Sequence, residues 1–61
     1  MMMTALVRNA NGDLKVKHDE YFTNQKDFAD ELRANGFKVL KTWRGEKTRA
    51  EVEDWEFFNR R

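Results

Sequence analysis

The sequence predicts one small α+β domain over residues 1–61, in the order ββαβα. Three observations carry that reading. Asn11-Gly12 lies between two runs rich in strand formers, the strongest short signal for a hairpin. Residues 23–37 hold a helix start, an apolar stripe and a helix stop. Thr48 and Glu51 then form a second start signal ahead of apolar residues at helical spacing. The expected architecture is a three-stranded sheet in strand order 2-1-3, a helix over 24–35 on one face, and a C-terminal helix over 49–59.

Residues 3–9 and 13–18 flank the hairpin turn. A two-residue turn at Asn11-Gly12 would pair Ala10 with Asp13, Arg8 with Lys15, and Val7 with Val16. Met3, Ala5, Val7 and Asn9 would then share the inner face with Leu14, Val16 and His18, leaving Thr4, Leu6, Arg8, Lys15, Lys17 and Asp19 outside. Residues 19–23 connect to the helix, with Tyr21 and Phe22 expected to cover an end of the core.

The helix over 24–35 is the best-specified element. Asn24 can accept a backbone N–H at its start, and Asp27 completes an imperfect capping box. Phe28, Ala29 and Leu32 recur at helical spacing, while Lys26, Asp27, Asp30, Glu31 and Arg33 face water. Gly36 supplies the left-handed residue that ends a helix. With Asn35 as C-cap, Phe37 should land on Leu32 in a Schellman motif.

Residues 37–43 alternate well enough for a third strand. Phe37, Val39 and Trp43, with Lys41 as the exception, would face the first helix; Lys38, Leu40, Thr42 and Arg44 would face away. A right-handed crossover makes this strand parallel to the second. Placing it antiparallel beside the first puts the least charged strand in the middle. In 49–59, Val52, Trp55 and Phe58 or Asn59 follow at helical spacing. The competing reading is a fourth strand, which would put Asp54 and Glu56 on the same side as Val52.

Composition bounds both the fold and the chemistry. Sixty-one residues bury only roughly 60% of their extended surface, so the stability margin is narrow. Without Cys and with one His, neither disulfide nor zinc staples the chain, and its eight aromatics must supply the core. The absence of Ser and Cys excludes the Ser- and Cys-based nucleophiles. The glycines at 12, 36 and 45 are isolated, so no phosphate loop exists. No enzyme, cofactor or metal site is expected. The net charge of +1 is not that of a protein coating nucleic acid. No run approaches the ~20 apolar residues of a membrane span, and Met1-Met2-Met3 lacks a secretion pattern, so the cytoplasm is the default expectation.

Two surfaces remain as candidates. The last stretch carries Trp55, Phe57 and Phe58, which a helix cannot direct to one side, so at least one ring is exposed, tucked sideways or covered by a partner, the alternative being that all three pack on the small sheet. In the expected register, Arg8, Lys15, Lys17, Lys38 and Arg44 converge on the outer sheet face, where they could meet phosphates or an acidic protein. That face lacks aromatics for base stacking, and the C-terminal segment could instead fold over it. In style the chain resembles the short, charged, aromatic-rich accessory proteins that bacteriophages and prophages encode, with no motif behind the resemblance. The expected function is a non-enzymatic protein-interaction module or modulator, with homodimerisation open. The alternative is weak nucleic-acid binding through the basic sheet face.

Overall fold

A computed structural model describes residues 2–59. It contains β1 (Met3–Arg8), β2 (Leu14–Asp19), α1 (Gln25–Ala34), β3 (Lys38–Arg44) and α2 (Arg49–Asn59). The strands form one sheet in the order β2-β1-β3, with β1 antiparallel to both neighbours. The ββαβα layout therefore stands, and the C-terminal segment is a helix rather than a fourth strand.

Local chemistry accounts for where α1 begins and ends. Asn24 Oδ1 accepts the Asp27 N–H at 2.8 Å, and Asn24 Nδ2 donates to Asp27 Oδ2 at 3.0 Å, closing the start reciprocally. At the far end Phe37 N–H reaches Leu32 O at 3.1 Å and Gly36 N–H reaches Arg33 O at 3.0 Å, the Schellman pair. Gly36 sits at φ 91°, a left-handed conformation that a Cβ would strain. Phe28 and Leu32 turn inward onto Met3, Ala5 and Val7, with Ala29 buried beside them on α1, and Phe22, Phe37 and Val39 close the periphery. Burial of Phe28 and Leu32 contributes about 1.5–3 kcal/mol each.

The hairpin register differs from the expected one by a residue. Arg8 pairs with Leu14, Val7 with Lys15, Leu6 with Val16, and Thr4 with His18. The cause lies in the turn. A two-residue type I′ turn needs positive φ at both Asn11 and Gly12, but only Gly12 is positive, at 85°. Gly12 N–H instead returns to Asn9 O at 2.9 Å, and Asn9 N–H to Asp13 O at 3.0 Å, which makes a three-residue loop. Asn9 Oδ1 stabilises that loop by accepting the N–H groups of Asn11 and Asp13.

A one-residue slip turns a strand over. Leu14, Val16 and His18 therefore lie on the face away from α1, and Lys15 and Lys17 on the α1 face. Lys17 Nζ sits 4.7 Å from the centre of the Phe37 ring. A second shift occurs in β3, where Val7 pairs with Val39 but Leu6 pairs with Lys41, so Leu40 is the extra residue. Val39 faces α1 as expected. Trp43 does not, because it pairs with Thr4 on the opposite face.

That opposite face is not bare. Leu6 is 2% exposed and Thr4 and Val52 are fully buried, all outside the cluster under α1. Trp55 of α2 meets Trp43 edge to face, with ring centroids 5.7 Å apart. The central strand is thus buried on both sides, α1 against one and α2 against part of the other. Of the two aromatics before α1, Phe22 stacks on Phe28 at 5.8 Å, whereas Tyr21 is 92% exposed and covers nothing.

Candidate functional site

Helix α2 is positioned by its first turn and by the loop before it. Thr48 Oγ1 accepts the Glu51 N–H at 3.2 Å while Glu51 Oε2 accepts the Thr48 N–H at 2.9 Å, a complete capping box. Upstream, buried Thr4 donates its hydroxyl to Gly45 O at 2.9 Å and accepts the Lys47 N–H at 3.0 Å. His18 Nε2 donates to Lys47 O at 3.0 Å, and Gly45 N–H bonds Met2 O at 2.7 Å. These bonds tie the loop to one end of the sheet. The helix that follows is held by Val52 and Trp55.

Of the three C-terminal aromatics, the fold separates one from two. Trp55 is half-buried against Trp43. Phe57 and Phe58 stay on the exposed side, 64% and 77% accessible, in edge-to-face contact with centroids 5.4 Å apart. At about 100° per residue, Phe57 stands over Ala50 and beside Asp54, away from Val52. The outer side of α2 thus combines an aromatic end with the exposed carboxylates of Glu53 and Asp54.

The five cations expected on one face are divided between two. Arg8 and Lys38 face one another across β1 and β3 on the α2 side, with Lys41 one row along. Lys15, Lys17 and Arg44 lie on the α1 side. The two shifts that divide them are the three-residue loop and the Leu40 bulge. Arg8 is further engaged through its guanidinium, which donates to Gly12 O at 2.7 Å.

The ion pairs among the described residues each sit within one helix: Lys26–Asp30, Arg33–Asp30 and Arg49–Glu53. The hydrogen bond from Lys26 is the main reason the Asp30 carboxyl is held below its ordinary range, and the same bond raises Lys26. Both groups lie on the exposed side of α1, so this is helix-surface electrostatics rather than a poised reactive group.

An open depression of about 490 Å³ is lined by Met2, His18, Asp19, Glu20 and Tyr21. Two of its polar side chains, Asp19 and His18, already serve the fold. Asp19 Oδ1 accepts the N–H groups of Tyr21 and Phe22, and His18 holds the loop before α2. Among the described residues, no cluster of three or more His, Cys, Asp or Glu side chains could hold a metal ion. No helix among them is long and apolar enough to cross a membrane.

Sequence reasoning missed Thr4 as an anchor. A lone threonine in a strand reads as an ordinary β-branched residue, and its loop partners lie more than forty positions away. Comparison of the chain with protein-family models, with curated proteins and with solved structures finds no significant match in any of the three.

Proposed function

We propose that this chain is a small non-enzymatic protein-interaction module, an accessory or modulator of a larger assembly, whose contact surface is the C-terminal end of α2. One observation supports the reading: Phe57 and Phe58 lie side by side, mostly exposed, on a helix whose other side is anchored by Val52 and Trp55. Leaving two large rings in water forgoes about 1.5–3 kcal/mol each in a chain with little stability in reserve. Aromatic rings with few rotatable bonds, presented on a rigid element, lose little entropy on docking and are favoured as binding anchors.

The test is affinity capture from a lysate of the encoding organism, comparing the parent with Phe57→Ala and Phe58→Ala. Tyr21→Ala serves as a control for an exposed ring elsewhere on the surface. A protein retained by the parent and by Tyr21→Ala, and lost with either phenylalanine, is the expected outcome. Equal retention by all four would remove the α2 end from the role.

Titration against labelled DNA and RNA addresses the competing reading through the strand cations. Affinity that falls steeply with salt, and is lost in Lys15→Glu, Lys17→Glu and Lys38→Glu variants, would replace the protein-interaction reading with nucleic-acid binding.

A further inference from the structure

Charge is sorted by element in this fold. The strands carry Arg8, Lys15, Lys17, Lys38, Lys41 and Arg44 against one carboxylate, Asp19, which is engaged in the turn towards α1. Helix α2 carries Glu51, Glu53, Asp54 and Glu56 against one cation, Arg49. None of the ion pairs among the described residues joins the sheet to a helix. Among the described residues, the strand cations and the α2 carboxylates Glu53 and Asp54 are therefore complementary without an ion pair joining them.

The pattern is sharper on the α2 side of the sheet. There the register lines up Leu14, Arg8 and Lys38 in one row and Val16, Leu6 and Lys41 in the next. Leu14 and Val16 are half-buried, and Lys38 and Lys41 are exposed. The loop before α2 is tied further along, at the row of His18, Thr4 and Trp43. The end of the face beside the hairpin is thus an apolar strip with a basic rim. The outer side of α2 is the reverse, an aromatic pair beside Asp54 and beside Glu53, which is ion-paired to Arg49 one turn earlier.

We infer that the Phe57–Phe58 end of α2, with Glu53 and Asp54, docks on the Leu14–Arg8–Lys38–Lys41 patch of a second copy of this chain. The inference rests on the reading of that end as a contact surface, and it names the partner. Two-fold symmetry forms each contact twice, burying four phenylalanines and opposing both acidic stretches to basic ones. Packing α2 against α2 would instead bring Glu53 and Asp54 face to face with their own copies, and like charges disfavour it. A standard interface of about 800 Å² per partner needs less than a fifth of the 4563 Å² surface of the chain. Dimerisation also supplies the buried area that a chain of this size lacks.

Sedimentation equilibrium over a wide concentration range, at low and high salt, tests the inference. The parent should form dimers that weaken as salt rises. Phe58→Ala should raise the dissociation constant at least about thirtyfold, as loss of a central anchor does. Two charge-reversed variants then examine the pairing itself. Glu53→Lys with Asp54→Lys makes both surfaces basic, and Lys38→Glu with Lys41→Glu makes both acidic. Each should be monomeric alone, and the two mixed should form a one-to-one heterodimer. All four positions are exposed, and far-UV circular dichroism of each variant establishes that it is folded.

A parent that stays monomeric up to its solubility limit overturns the inference. So does a dimer indifferent to Phe58→Ala, or a mixture of reversed variants that fails to associate. A monomeric parent that still captures another protein through Phe58 would overturn the second-copy inference and leave the interaction reading standing.

Discussion

Replacing Thr4 with valine preserves the shape of the side chain and removes its hydroxyl. That hydroxyl donates to Gly45 O and accepts from Lys47 N–H, and the residue is 0% exposed. The variant leaves one backbone donor and one acceptor without their partner. An unsatisfied buried group costs about 1–3 kcal/mol, but Gly45 and Lys47 are only half-buried and water regains part of that, so about 2–3 kcal/mol is expected for the pair. A chain this short has a urea dependence near 1 kcal/mol/M, so the unfolding midpoint should fall by about 2–3 M. The thermal midpoint should fall by about 10–20 °C.

The Trp43–Trp55 contact makes near-UV circular dichroism the natural probe, because the loop held by Thr4 sets the approach of α2. Thr4→Ser is the control. It keeps both hydrogen bonds and loses one methyl group, which costs about 1 kcal/mol. A valine variant within about 0.5 kcal/mol of the parent would behave like an ordinary surface substitution and refute the anchoring role. A serine variant as unstable as the valine one would assign the loss to packing rather than to the hydroxyl.

Gly36→Ala meets no atom within 4 Å but must adopt φ 91°, so it should cost about 1–2 kcal/mol through backbone strain, with Gly36→Asn costing less; chemical denaturation measures both, and equal stability of all three would dismiss the left-handed cap. Val52→Ala opens a void under α2 and should cost about 2–3 kcal/mol, whereas Phe58→Ala at the exposed end should stay within about 0.5 kcal/mol; a reversed order would mean that the helix is seated by its aromatic end. For Asp30, the folded carboxyl titrates below its unfolded value. The stabilisation it contributes is therefore present above the unfolded value and is lost as pH falls through the folded one. Lys26 is raised, so its share is present below its unfolded value and lost as pH climbs through the folded one. Carboxyl carbon NMR should show the Asp30 midpoint moving up in Lys26→Gln, and an unchanged midpoint would exclude Lys26 as the cause.

The elements of this fold were legible because their signals are local. Asn24, Gly36 and the Thr48–Glu51 pair act on backbone groups within a few residues, so caps and stops are visible in the string of letters. Strand order followed from the handedness of crossovers and from the low charge of residues 3–7. That the three C-terminal rings would not all turn one way was legible too, since helical geometry forbids it, but the parting of Phe58 from Trp55, three residues away, was not.

Register and facing were not legible. Asn11-Gly12 suits a two-residue or a three-residue loop almost equally, and β1 could not arbitrate because Met3, Ala5, Leu6 and Val7 are apolar on both faces. That double-sided character belongs to a central strand buried from two sides. The choice is made at long range, where Leu6, Thr4 and Trp43 receive Val52, Trp55 and the loop before α2, and where the Leu40 bulge brings Trp43 to that side. Each depends on contacts tens of residues apart, so the split of the cations and the anchoring by Thr4 exist only once the chain has closed on itself.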